Sequence, residues 1–442
     1  MKQGDTMTAK KNGKFWLALI IFSLTGQIAW VVENMYFNVF LYEMFHASPA
    51  DISAMVSASA IAATVTTLLV GAFSDKVGKR KVFICGGYIL WGVSICAFAA
   101  IRPDVIETLF PAMAASAAAI GVTLTIVMDC VMTFFGSSAN DACFNAWLTE
   151  STDHTNRGAA EGINAMMPLV AILAVFGGFM SFDLSKAESW TTIFLIIGIA
   201  VILIGVLGLF LLKESTVTSE ENRSCLRNLI YSFRPSVIRE NHLLYLGLLV
   251  FALFNISIQI FMPYLILYYT ESLKMDNYVL IMAPAVIVAS VFTAIYGRVY
   301  DKLGFTRAVL PTLGLLTGGY LLLFFFKGTA LVFVGSLLMM SGYLSGAAMF
   351  GALIREHTPA GKAGMFQGVR IIGQVLVPGV IGPAIGAAVL KNAETVVNGD
   401  GTTSFIPNAN IYLAALAAAI VLILALVPVC KLLKKGANCD AE

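Results

Sequence analysis

"GAFSDKVGKRK" (Gly71 to Lys81) returns 226 residues later as "GRVYDKLGFTR" (Gly297 to Arg307). Both copies keep a glycine, an Asp-Lys pair and a second glycine, and both end in basic residues. The same offset aligns "FLY" at 40 to 42 with "ILY" at 266 to 268. A second pair, "TESTDHTNRGAAEG" (Thr149 to Gly162) and "REHTPAGKAGMFQG" (Arg355 to Gly368), aligns at an offset of 206 and places Glu150 on Glu356 and Gly158 on Gly364. The chain is therefore internally duplicated. The two offsets differ by 20, so the first half carries extra residues at 102 to 122, read either as an extension outside the membrane or as longer, tilted helices.

What surrounds the repeated motif is apolar. The 442 residues are 58% hydrophobic and 12% charged, with mean hydropathy +0.84, whereas soluble domains are about a quarter charged. A hydrocarbon core of about 30 Å is crossed by roughly 20 apolar residues in a helix. Twelve such stretches occur: about 15–45, 52–72, 82–101, 123–149, 159–181, 191–212, 242–270, 278–297, 308–326, 329–355, 364–390 and 410–430. They are numbered helices 1 to 12. The expected fold is an all-α integral membrane protein of twelve transmembrane helices in two pseudo-symmetric six-helix bundles, 1–212 and 242–442, joined by a polar linker at 213–241. The basic residues Lys2, Lys10, Lys11 and Lys14 resemble the start of a signal peptide, but the following run is too long and has no small-residue cleavage site.

Lysine and arginine favour the cytoplasmic side. With both termini there, that side holds 22 of the 28 basic residues and the opposite side holds Arg102, Lys186, Lys274, Lys327 and Lys391. The net charge of +2 reflects this asymmetry and not a nucleic-acid partner, which would require a basic soluble face. The seven cysteines lack metal or redox spacing. With no phosphate-binding loop, metal-ligand cluster or nucleophile elbow, neither an enzyme nor a primary ATP-driven pump is expected, and no metal or cofactor beyond a coupling ion.

The sequence at Gly71 to Lys81 resembles the loop 2 to 3 motif of the major facilitator superfamily, and the copy at 297 to 307 resembles its second-half echo. The resemblance covers essentially the whole chain. It implies a gate motif at Gly71, Asp75, Gly78, Lys79 and Arg80, echoed by Asp301 and Gly304. Locally, Gly71 would let helices approach closely, and Lys79, Arg80 and Lys81 would hold the cytoplasmic surface. Within the superfamily, "NDACFNAWLTESTDHTNRG", "WVVENMYFNVFLY" and "GMFQGVRIIGQVLVPGVIGP" resemble the glycoside, pentoside and hexuronide to cation symporters and the related sucrose transporters. Relatives resembling the melibiose permease carry aspartates inside helix 2. Here "ISAMVSASAIAATVTTLLVGA" has none.

The family fold implies a central cavity among helices 1, 4, 7 and 10, with 2, 5, 8 and 11 at the flanks. The polar residues follow that division. Helices 3, 6 and 9 contain no acidic, basic or amide side chain, and helix 12 has only Asn410 at its edge. Helix 1 carries Gln27, Glu33, Asn34 and Asn38, helix 4 carries Asp129, Asn140, Asp141 and Asn145, and helix 7 carries Asn255 and Gln259. A charge at the bilayer centre costs about 2.5–3.5 kcal/mol on insertion scales, so it faces partners or a water-filled path. Glu33 aligns with Gln259 at the 226 offset. Thr125, Asp129, Thr133, Ser137 and Asp141 form a four-residue stripe on helix 4. Arg370 and Gln374 share a face of helix 11, where Arg370 pairs with Asp141 or Glu33, or snorkels to the interface.

Glu33, Asp129 and Asp141 are thus the candidate cation-coupling residues, because the four histidines lie in loops or at helix edges. Gln27, Trp30, Asn34, Asn38, Asn255, Gln259, Arg370 and Gln374 are the candidate solute-binding residues, with structural roles as the alternative for each. The expectation is a monomeric multi-pass transporter of a bacterial cell membrane, both termini cytoplasmic, moving a small polar solute such as a sugar together with H+ or Na+ by alternating access. The competing expectations are a proton-coupled exporter of amphipathic drugs or lipids, which the 18 Met and 30 Phe residues keep open, and a receptor that has lost transport.

Overall fold

The computed structural model describes residues 13–152, 156–214, 231–275, 277–359, 363–399 and 401–439. It contains twelve helices long and apolar enough to cross a membrane. In chain order, helices 1 to 6 are Gly13–Phe45, Pro49–Ser74, Arg80–Ala100, Ala117–Glu150, Gly158–Phe179 and Ala187–Leu211. Helices 7 to 12 are His242–Ser272, Val279–Leu303, Phe305–Phe325, Thr329–His357, Gly368–Leu390 and Asn410–Leu433. Most of the linker, 215–230, lies outside the described residues, as do Lys2, Lys10 and Lys11.

At both copies of the repeated motif a glycine with positive φ ends a helix: Gly78 after helix 2 at φ +67, ψ +17, and its counterpart Gly304 after helix 8 at φ +70, ψ +169, so the position is shared although the two turns leave in different directions. A Cβ strains the backbone in this region, so a glycine stands at both turns. Helix 2 starts on a capping box, in which the Ser48 hydroxyl accepts from the Asp51 amide while Asp51 Oδ2 accepts from the Ser48 amide at 2.9 Å, with Pro49 in the first turn.

The extra residues of the first half form a separate segment before helix 4, a short helix Pro103–Leu109 followed by a 3₁₀ turn Pro111–Ser116. Arg102 binds it in place, 2.9 Å from Asp104 and 3.6 Å from Glu188. Its hydrogen bond holds the Asp104 carboxyl below the usual range. Both readings of this insertion are met in part: residues 103–116 form an extension before helix 4, and 117–122 lengthen helix 4 itself.

Helices 3 and 6 pack backbone to backbone: a Cβ on Gly92 would lie 2.5 Å from the Gly198 carbonyl oxygen. Phe210 of helix 6, Phe325 of helix 9 and Leu424 of helix 12 are among the most exposed apolar side chains, as lipid-facing helices require.

The two halves meet along helices 2 and 11. Ser57 donates to the Gly379 carbonyl at 3.4 Å, and a Cβ on Gly379 would lie 2.5 Å from that of Ala60. Helix 11 reads "GVIGPAIG" here, and its glycines serve close packing: a Cβ on Gly382 would collide with that of Gln259, and one on Gly386 with the Ile260 carbonyl oxygen. Further towards the end distal to the termini, the buried hydroxyls of Tyr36 and Tyr278 meet at 2.8 Å and Tyr264 donates to the Pro49 carbonyl at 3.0 Å. Burial pushes the Tyr278 hydroxyl up to about 12.

A two-stranded hairpin, β1 (Thr395–Val397) and β2 (Thr403–Phe405), closes the same end. The Tyr42 hydroxyl of helix 1 donates to the Phe405 carbonyl at 2.8 Å, and His46 Nδ1 lies 3.1 Å from Ser404 Oγ and from Asn398 Nδ2. Among the described residues, all six hydrogen bonds between the halves lie from mid-depth to this distal end.

Candidate functional site

Among the described residues, π-helical turns interrupt three helices, at Val32–Tyr36 in helix 1, Ser137–Phe144 in helix 4 and Ile372–Leu376 in helix 11, and a fourth, Tyr268–Ser272, ends helix 7. Such turns are rare and gather at functional sites, because one extra residue re-aims the side chains beside it. Three of the four carry candidate residues: Glu33 and Asn34, Asp141, and Gln374.

All four of these side chains line one cavity of about 310 Å³, together with Gln27, Trp30, Asp129 and Gln259. Glu33 and Gln259, paired by the repeat, reach the same space from opposite halves. The cavity is built by helices 1, 2, 4, 7 and 11. No residue of helix 10 lines it, which corrects the expected arrangement, and helix 2 supplies Met55, Val56, Ser59, Ala60 and Ala63.

Glu33 is buried, and its Oε1 accepts from Ser59 at 2.6 Å and from Thr133 at 2.9 Å. The two hydroxyls lie 2.9 Å apart. Glu33 Oε2 has no protein partner, and neither does Asp129 Oδ1 one helix away. Asp141 is held separately, accepting from Ser137 on Oδ2 at 3.0 Å and from Asn140 on Oδ1 at 3.4 Å. Among the described residues, no lysine, arginine or histidine lines the cavity. Trp30 packs against Trp91 with ring centroids 5.0 Å apart, and its indole N–H lies near the Asp141 carboxyl without meeting hydrogen-bond geometry. Asn34, exposed to the cavity, donates to the Trp30 carbonyl at 2.7 Å.

Three expected solute contacts do not reach this space. Asn38 is fully buried, its Nδ2 donates to the Asn34 carbonyl at 3.0 Å while its Oδ1 has no partner among the described residues, and it does not line the cavity. Asn255 stands four residues before Gln259, about 6 Å nearer the terminal end of helix 7, and does not line the cavity. Arg370 pairs with neither Asp141 nor Glu33. Its Nε donates to Gln374 Oε1 at 3.1 Å, and only Gln374 lines the cavity.

The repeated motif differs in detail from its reading. Arg80 is not a surface cation but is buried, with Nη2 2.8 Å from Glu150 Oε1 and Nη1 2.5 Å from Ser74 Oγ. Gly71 permits no close approach, since a Cβ there would meet only Ala142 at 3.9 Å. Lys79 and Asp301 are exposed, Gly78 and Gly304 make the positive-φ turns described above, and the Asp75 side chain lies outside the described residues.

Sequence reasoning missed Ser59 because it sought carboxylates in helix 2. The usable signal was the hydroxyl run "SASA" at 57 to 60 in an otherwise apolar helix. It also missed Tyr88, which donates to Asn140 Oδ1 at 3.0 Å and to the Phe22 carbonyl at 2.8 Å. Gly26 leaves the room for this contact: a Cβ would lie 2.6 Å from Asn140 Oδ1 and 2.9 Å from the Tyr88 hydroxyl. Gly26→Ala is therefore expected to displace Asn140 from Asp141, cost about 1–3 kcal/mol of stability and weaken solute binding. Unfolding in detergent and a solute titration check it. Gly177→Ala, with nothing within 4 Å of the added Cβ, is the control.

Two six-helix halves around a polar, acid-lined cavity at membrane depth define a secondary-transporter architecture. The Major Facilitator Superfamily profile matches residues 15–383, and the chain belongs to that family. It is 29% identical over 196 residues to sugar efflux transporter B of Salmonella typhimurium, covering 44% of this chain and 45% of the relative. It is 27% identical over 210 residues to sugar efflux transporter A of Dickeya chrysanthemi, 48% of each chain. The matches thus span less than half the length of either relative. Among solved structures, the nucleoside transporter NupG superposes with a TM-score of 0.69 at 14% identity, covering 93% of this chain and 98% of that one. A D-xylose-proton symporter gives 0.69 at 14% identity, covering 93% and 97%. At such identity the likeness is one of fold. The family and fold are those of non-enzymatic transporters, as the sequence implies.

Proposed function

We propose that this protein moves a sugar-sized polar solute across the cell membrane by alternating access, coupled to a cation, H+ or Na+. The observation that carries this reading is charge balance: Glu33, Asp129 and Asp141 line one cavity without a basic side chain among the described residues. A carboxylate at this depth needs a compensating positive charge, and a mobile cation supplies it. Glu33, bonded to both Ser59 and Thr133, is the coupling residue in this reading. The volume of about 310 Å³ falls at the lower end of small-molecule sites. Gln27, Asn34, Gln259 and Gln374 offer amide donors and acceptors to hydroxyls, and Trp30 a ring face. That polarity counts against amphipathic drugs or lipids. With both termini cytoplasmic, the closed distal end is the outer one and the state is inward-facing. A monomer contains the complete cavity.

The sequence reading favours symport, whereas the names of the two sugar efflux relatives favour export in exchange for the cation. Vesicles loaded with a panel of labelled mono- and disaccharides separate the two. Under symport a cation gradient drives solute in the direction the cation flows, and under exchange it drives solute against that flow. Movement indifferent to both proton and sodium gradients would refute coupling.

A further inference from the structure

We infer that the solute carries an amine and that Asp141 is the residue that recognises its ammonium group. This inference rests on the reading that the cavity binds a sugar-like solute, and it removes Asp141 from the coupling machinery. The three carboxyl groups are not equivalent. Glu33 and Asp129 are 7% and 1% exposed, and Glu33 is gripped by the Ser59 and Thr133 hydroxyls. Each of the two keeps one buried oxygen without a partner, and a single coupling cation serves that region. Asp141 is partly exposed and lies in the π turn of another stretch of helix 4, held by its own neighbours Ser137 and Asn140.

Both of those contacts are with neutral groups, one of them at 3.4 Å, so the charge of Asp141 is solvated by the chain but not neutralised. The cation that sequence supplies for it, Arg370, is turned to Gln374. A neutral sugar entering the cavity displaces water from this carboxylate and gives back hydroxyl contacts only. A protonated amine gives back a charge-assisted hydrogen bond. The matching solute is an amino sugar, a polar ring with one ammonium group.

The test uses the purified full-length protein in lipid nanodiscs and titrates glucosamine, N-acetylglucosamine and glucose at about pH 6, where a primary amine of this kind is protonated. Intrinsic tryptophan fluorescence is the readout, since Trp30 lines the cavity. N-acetylglucosamine keeps the ring and removes the charge. Glucosamine is expected to bind about tenfold or more tightly than the other two, the ratio a charged hydrogen bond supplies. Asp141→Asn is expected to erase the difference and Asp141→Glu to restore most of it, which distinguishes lost charge from lost folding. Equal binding of the three sugars, or a preference that survives in Asp141→Asn, overturns the amine assignment and leaves the sugar reading standing. No saturable signal from any of the three overturns both.

Discussion

Replacement of Glu33 by glutamine is expected to abolish gradient-driven accumulation of the solute while leaving solute exchange intact. Glutamine keeps the size and shape of the side chain and an oxygen that still accepts from Ser59 and Thr133, which contact Glu33 at 2.6 and 2.9 Å. What it removes is the charge that a cation must meet. One cation crossing 100 mV releases about 2.3 kcal/mol, equivalent to roughly fiftyfold accumulation, so the variant falls from that ratio towards unity. Counterflow between labelled and unlabelled solute needs no net cation movement and remains. Membrane vesicles measure both. Unchanged accumulation in Glu33→Gln would move coupling to Asp129, and simultaneous loss of exchange would make Glu33 a solute contact.

Much of this site was legible because membranes penalise polar groups so heavily. Glu33, Asp129, Asp141 and four amides stood out against apolar helices, and the repeat placed Glu33 opposite Gln259 before any coordinates did. The misplaced residues have separate physical causes. Asn38 lies beyond the π turn at Val32–Tyr36, which shifts its phase relative to an ideal α-helix, and its Nδ2 bonds the Asn34 carbonyl. Arg370 and Asn255 precede the π turns of their helices, and Arg370 finds Gln374 on its own helix as a partner at 3.1 Å. Ser59 was hidden for a different reason: a hydroxyl in a membrane helix commonly bonds its own backbone, and only the packing of helix 2 on helix 4 shows that this one turns to a carboxylate. The distal hairpin was invisible because its strands are three residues long, and β1 is exposed throughout.

Removing Glu150 is expected to cost about 3–5 kcal/mol of stability, the largest loss foreseen for any single substitution outside the cavity, because it takes a carboxylate partner from a buried guanidinium. The Arg80 and Glu150 side chains are 8% and 17% exposed, and the pair joins the start of helix 3 to the end of helix 4 within one half. The family resemblance implies that this patch acts as a gate latch. Among the contacts between described side chains, Arg80 meets Ser74 and Glu150, both in its own half. The two roles predict different measurements. A strut predicts that Arg80→Met and Glu150→Gln each lower the unfolding midpoint in detergent, that the double variant recovers much of the loss, and that the affinity of the remaining folded protein is unchanged. A latch predicts near-normal unfolding and a transport rate altered by the changed balance between inward and outward states. The geometry favours the strut, since a guanidinium already carrying a carboxylate and a hydroxyl gives up those bonds before it can reach the other half. A double-mutant cycle with no coupling energy between positions 80 and 150 would overturn it.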